Sequence, residues 1–166
     1  MHIELLSRRY KVKRLEEFDI PQIYDLCKDN SLYYQYCPPF VTHDSIKEDL
    51  NALPQGKTNR EKYFVGFYQD NMLMAVLDVI SGYPNEETAY IGFFMVSQQA
   101  QNKGIGTAII TEVCQSLKEI GFSYIRLAYV KGNPQSQAFW IKNNFKNTGK
   151  EAEAQGCKVV VLQKNL

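Results

Sequence analysis

The sequence predicts an α/β domain, built on a mixed but mostly antiparallel twisted sheet flanked by helices, and three observations predict it. A chain of 166 residues, 45% hydrophobic and 22% charged, suits one domain with a sizeable core and not a disordered segment. Three strand-like runs follow one another through its middle, separated by turn formers. The hydrophobic period then changes to that of a helix, after which a strand, a helix and a hairpin complete the chain. Residues 1–166 show no repeat, low-complexity tract or linker and read as one domain.

In chain order, "YKVKRL" alternates polar and apolar side chains as a strand does, and a helix follows over about Pro21 to Lys28, with proline early in it. "NSLYYQYCPPF" reads as an aromatic loop closed by two prolines. In "SIKEDLNAL", Ile46, Leu50 and Leu53 recur at helical spacing behind the capping residues Thr42 and Asp44, and "LPQGKTNREK" is a polar surface loop. "YFVGFY" and "MLMAVLDVIS", separated by Gln69, Asp70 and Asn71, carry a hairpin signature, and "GYPNEE" leads into "TAYIGFFMV", which completes an antiparallel meander. Ile105, Ile109, Val113, Leu117 and Ile120 then mark a helix that stops at Gly121. "YIRLAYV" is a strand and "PQSQAFWIKN" a short helix with Pro134 in its first turn. "FKNTGK" and "KVVVLQ" form a closing hairpin.

Nineteen basic and eighteen acidic residues nearly cancel, and no Lys/Arg run is long enough for the electrostatic footprint of nucleic-acid binding. The amino-terminal segment lacks the apolar core of a signal peptide, and no stretch is apolar enough to span a membrane, so neither nucleic acid nor membrane is an expected partner and the cytoplasm is the expected location. Cys27, Cys37, Cys114 and Cys157 lack the close pairing of zinc or redox sites and read as free thiols, with Cys114 in the core. His2 and His43 form no ligand motif, so no metal is expected.

The chemistry concentrates in "QQAQNKGIGTAII", residues 98 to 110, where two glycines stand one residue apart between a strand and a helix. Such a turn aims several backbone N–H groups at one point, and the helix N-terminus adds partial positive charge, so an anion, phosphate by default, is its expected guest. A P-loop needs Lys and Ser or Thr directly after its last glycine, and here Thr107 follows Gly106 with no lysine between. The dinucleotide fingerprint needs a small residue where Ile109 stands and a parallel βαβ unit early in the fold.

Gln101-x-x-Gly104-x-Gly106 after a strand resembles the acyl-CoA-binding motif of the GNAT superfamily of N-acetyltransferases. "AYIGFFMVSQQAQNKGIGTAII" resembles its central strand, pyrophosphate turn and helix. "YIRLAYVKGNPQSQAFWIKNNF" resembles its next strand and Asn-initiated helix, and the element order extends the likeness over nearly the whole chain. The resemblance implies the acyl-CoA N-acyltransferase fold and acetyl-CoA as donor. It implies that main-chain groups of Phe94, Met95 and Val96 pair with the pantetheine arm, and that Gln101, Asn102, Lys103, Gly104, Ile105, Gly106 and Thr107 hold the pyrophosphate. Asn133 would lie beside the thioether arm, with Phe139 and Trp140 completing the cofactor site. The sheet would open between its central strands to admit the arm.

The chain departs from the family pattern where a tyrosine of the last helix commonly supplies a proton, because Trp140 stands there and an indole N–H is no practical acid. Trp140 instead walls the channel or packs the core. Asn144 replaces a glycine before Phe145, at a helix end where Asn can take the left-handed conformation. The central strand offers Tyr90 and Gly92 where some relatives place a Glu base. Asp78, a charge inside an apolar strand, is a candidate to bind or deprotonate an acceptor ammonium unless it lies on the meander's wet face. Tyr129 is a candidate proton donor, with packing as its other role.

Family analogy puts the acceptor among Tyr33, Tyr34, Tyr36, Phe40, Tyr83, Glu86 and Glu87, which suit a cationic amine through cation–π and charge contacts. The expected reaction is direct acetyl transfer to a primary amine of a small molecule or peptide. The alternatives are a catalytically weak CoA-binding or regulatory module and a nucleotide-binding protein. A homodimer is the assembly kept open.

Overall fold

The computed structural model describes residues 1–154 and 156–166, and its centre is the predicted meander: β2 (Lys62–Gln69), β3 (Met72–Ser81) and β4 (Thr88–Val96), paired antiparallel. Asp70 and Asn71 make the β2–β3 turn with φ of 48° and 64°, the left-handed pair that a two-residue hairpin requires. β1 (Lys11–Arg14) flanks β2, β5 (Tyr124–Val130) runs parallel to β4, and β6 (Lys146–Ala154) and β7 (Cys157–Asn165) form the closing hairpin. The order is β1-β2-β3-β4-β5-β7-β6, so the last strand inserts between β5 and the exposed edge strand β6.

Both faces of the central strands are covered, which is why β2 is buried along nearly its whole length and reads as a continuous apolar run. On one face lies α4 (Ile105–Ile120), whose Ile109, Ile110, Val113 and Leu117 are fully buried against Val65, Leu77, Val79, Ile91 and Leu127. On the other lie α1 (Ile20–Lys28), α2 (Ser31–Tyr36) and α3 (His43–Asn51), around a second core that includes Ile23, Leu26, Tyr34, Ile46, Phe64 and Met95. α5 (Pro134–Lys142) follows β5 and brings Trp140 to the α4 side.

Two expectations are corrected. The aromatic loop contains α2, because Tyr34 is buried and Tyr33 half-buried, and tertiary packing sustains a helix too short to stand alone. α3 begins at His43, so Thr42 alone is the cap, accepting from Ser45 N–H at 3.0 Å, and Asp44 belongs to the first turn. Gly121, with φ of 111°, ends α4, and Asn144 takes φ of 66° as anticipated, which lets Phe145 turn back into the core. Among the described residues no helix is long and apolar enough to cross a membrane.

Candidate active site

The sheet opens at the one parallel pairing among the described residues. β4 and β5 are neighbours from Thr88–Ile91 against Tyr124–Leu127; beyond that point β4 stays with β3, and β5 stays with β7. The wedge between them is a cavity of about 420 Å3. Every residue that the sequence assigned to the cofactor lines it except Lys103, which is exposed beside it.

The turn at the wedge's mouth is shaped for an anion. Asn102 and Gly104 have φ of 59° and 77°, a left-handed pair that curls the backbone. Gly104 caps α4 without a side-chain bond, and Ala108 N–H bonds to Gly104 O at 2.9 Å, so the N–H groups of Ile105, Gly106 and Thr107 have no acceptor within the helix. A Cβ on Gly104 would meet nothing within 4 Å, but its φ favours glycine. Gly106 is small for another reason: a Cβ there would lie 3.1 Å from both Phe139 and Val96, and those side chains would have to give way by a few tenths of an ångström.

Gln101 lines the wedge, but its side-chain hydrogen bonds are made within the fold. Its side-chain nitrogen donates to Val96 O at 3.1 Å and to Asn30 Oδ1, while Asn30 Nδ2 donates to Leu26 O at 2.9 Å and to Val96 O at 3.3 Å. This clamp ties α1, β4 and the glycine turn together. It also occupies the Val96 carbonyl with two side-chain donors. Asn133 caps α5, its Oδ1 accepting from Ser136 N–H at 3.0 Å, and is 3% exposed at the wedge wall. Trp140 combines both expected roles: it lines the wedge while its ring meets Phe94, Phe139 and Phe145 at centroid distances of 5.9, 5.0 and 5.1 Å.

A second cavity, of about 500 Å3, lies under α2 and α3, and Tyr33 lines both. Its floor includes Phe64, Asp78, Tyr90, Gly92 and Phe93. Asp78 pairs with Phe93 and Val79 with Ile91, so Gly92 is the extra residue of a β-bulge. A Cβ on Gly92 would lie 2.7 Å from Asp78 Oδ2; the missing side chain makes room for that carboxylate.

Asp78 is 7% exposed, so it does not lie on a wet face; α1, α2 and α3 cover the face it shares with Phe64. Lys62 Nζ donates to Asp78 Oδ2 at 2.7 Å and to Ala52 O at 2.9 Å, and Asp78 Oδ1 is buried with no hydrogen-bond partner among the described residues. Burial raises the Asp78 carboxyl to about 6; Lys62 opposes the rise, and the charge of Asp49 adds to it. Burial likewise pushes up the Tyr33 and Tyr34 hydroxyls and takes the Cys27 thiol to about 12, so these walls keep their protons.

Of the expected acceptor residues, Tyr33 and Tyr34 line this cavity. Phe40 is 54% exposed and leans on Tyr34 at 5.7 Å, and Tyr83 stands edge-on to Tyr90 at 5.4 Å, each outside the lining. Glu86 and Glu87 are exposed in their turn; the acidic wall is instead Glu48, Asp49 and Asp78. Tyr129 lines neither cavity. The alternation of β5 places it with Ile125 and Leu127 in the core under α4, where it packs. Sequence reasoning missed Lys62, Asp49 and Asn30, which sat in stretches read as surface loop, helix and loop.

The acetyltransferase (GNAT) family model matches residues 23–145, most of the chain. The chain belongs to the GNAT acetyltransferase family. This GNAT protein is an acyltransferase, its acetyl donor is acetyl-CoA, and its seven-stranded mixed sheet has the acyl-CoA N-acyltransferase fold. Solved structures of similar fold include an acetyltransferase from Thermus thermophilus, 16% identical, with all of both chains covered and a TM-score of 0.75. Another is spermidine N-acetyltransferase from Vibrio cholerae in complex with CoA and spermine, 15% identical, with 96% of each chain covered and a TM-score of 0.68. A third is ribosomal-protein-alanine N-acetyltransferase from Brucella melitensis, 15% identical, covering 93% of this chain and 99% of that one at a TM-score of 0.65. No functionally curated protein matches the sequence.

Proposed function

We propose that this GNAT protein transfers the acetyl group of acetyl-CoA directly to a primary amine of a small molecule or peptide, with Asp78 as the base. The observation that carries this reading is Asp78, which lines a cavity that shares Tyr33 with the cofactor wedge and whose buried Oδ1 has no hydrogen-bond partner among the described residues. The named substrates of the spermidine and ribosomal-protein-alanine enzymes, which share only the fold, are both amines.

The wedge fits acetyl-CoA, which supplies an activated acetyl thioester when bound. The N–H groups of Ile105, Gly106 and Thr107 would hold its pyrophosphate, and Phe94, Asn133, Phe139 and Trp140 would wall the arm. Lys62, fixed at one end by Ala52 O, holds Asp78 Oδ2 and leaves Oδ1 to accept a proton from an ammonium. With its carboxyl at about 6, Asp78 is ionised near neutral pH yet more basic than an exposed aspartate, as a general base should be. Trp140 can donate a hydrogen bond but no proton, so no side-chain acid is assigned there.

The test is an amine-library assay that follows release of free thiol from acetyl-CoA. Turnover with one class of primary amine is the expected result. Silence across broad classes, with CoA still bound, would favour a catalytically weak CoA-binding module.

A further inference from the structure

The acceptor cavity is more acidic than one reacting nitrogen requires. Glu48, Asp49 and Asp78 line it, and among its lining residues there is no lysine, arginine or histidine. Lys62 stands behind the wall, held between Ala52 O at the end of α3 and Asp78 Oδ2. It therefore answers part of one carboxylate. Asp78 Oδ1, in a residue 7% exposed, has no partner, and among the described residues Asp49 forms no ion pair.

The two aspartates belong to opposite walls. Asp78 rises from the sheet, whereas Asp49 hangs from α3, three residues or about 4.5 Å of helix before Ala52. Aromatic rings close the remaining sides, from Tyr33 and Tyr34 on α2 and from Tyr90 and Phe93 on β4. Burial raises the Asp49 carboxyl, with Lys62 opposing, so Asp49 is a half-buried acid whose charge is answered only at a distance.

We propose that the acceptor is a small aliphatic dication, an α,ω-diamine or polyamine-like chain, with Asp49 reading its second ammonium while Asp78 takes the reacting nitrogen. The proposal rests on the amine-acetylation reading above and adds a substrate class and a specificity-determining residue to it. A monoamine would leave the half-buried Asp49 unanswered, and an anionic acceptor would face three carboxylates. Methylenes between two ammonium groups fit the aromatic walls, whose faces also attract cations. A divalent metal is a poorer occupant: no three acidic, His or Cys side chains converge as ligands among the described residues, and the Lys62 ammonium sits 2.7 Å from Asp78.

The experiment compares straight-chain monoamines with α,ω-diamines of matched length as acceptors for the wild type and for Asp49→Asn. The wild type should show a KM for diamines lower by roughly ten- to hundredfold, the worth of one charge-assisted contact. Asp49→Asn should erase that preference by raising the diamine KM at least about tenfold more than the monoamine KM, and Asp49→Glu should restore part of it. Equal KM values for the two series in the wild type, or an Asp49→Asn loss shared equally by both, would overturn the proposal. So would a preference for peptide amino termini. If no amine is turned over, the acetyl-transfer reading fails separately, and calorimetry of the CoA-loaded protein decides this one. Diamine binding that weakens in Asp49→Asn supports the dication site, and no diamine binding rejects it.

Discussion

The Asp78 carboxyl has one oxygen on Lys62 and the other on nothing, and both stability and activity should register it. Its folded value of about 6 exceeds the ordinary 3.8, so the native state holds this proton more tightly than the unfolded chain. The group's contribution is therefore most favourable below the unfolded value and is lost as pH rises through the window from 3.8 to about 6, by about 3 kcal/mol. The groups facing it are Lys62 on β2, Asp49 on α3, Tyr33 and Tyr34 on α2, and Tyr90 on β4. Lys62→Met would leave this charge buried and unpaired; unfolding in denaturant near neutral pH should show a loss of about 3 to 5 kcal/mol. It should also move the acidic limb of the pH–rate profile upward, since Lys62 holds the carboxyl down.

The same residue shows where sequence reading stops. Counting back from the Asp70–Asn71 turn puts Asp78 opposite Tyr63, but a bulge between Phe67 and Tyr68 shifts the register and sets it opposite Phe64. One extra residue moves a strand's side chains to the other face, and nothing in the local pattern announces it. Lys62 escaped for the same reason, as the last residue of a polar loop whose partner is set by that shifted register.

At the level of elements, the turn between β4 and α4 does two jobs that its motif does not separate. Gly104 serves backbone conformation, and Gly106 serves packing. Gly104→Ala should cost about 1 to 2 kcal/mol in thermal or chemical unfolding, through its φ of 77°. Gly106→Val should cost about 1 to 3 kcal/mol and weaken CoA binding as well, because the added side chain pushes Phe139 and Val96 at the wedge. The spacing of Gln101, Gly104 and Gly106 made the turn legible before any fold was known. The Asn30–Gln101 clamp was not, since it joins groups seventy-one positions apart in the chain. The short helix α2 was equally hidden, because its stability comes from Tyr34 reaching a core and not from its own propensity.

For the whole molecule, the meander and the closing hairpin followed from periodicity and turn residues. The splay that makes the site came from family likeness, because parallel pairing that ends after four residue pairs is a non-local property. The cofactor wedge depends on it, and the wedge meets the second cavity at Tyr33, so ligand binding should stabilise the entire domain. CoA at a hundred times its Kd should add about 2.7 kcal/mol, or about 5 to 10 °C in a thermal melt. A strong ATP shift with no CoA effect would point to a nucleotide-binding protein instead.

The most direct test of the central claim is the pH dependence of kcat/KM for acetyl transfer to the best acceptor amine, in the wild type and in Asp78→Asn. The substitution keeps an oxygen for Lys62 but cannot take a proton. The wild type should rise along an acidic limb centred at about 6, and Asp78→Asn should lose the limb and about a hundredfold or more in rate while CoA binding persists. An Asp78→Asn protein that turns over as fast as the wild type, with the limb intact, would contradict the assignment of Asp78 as the base.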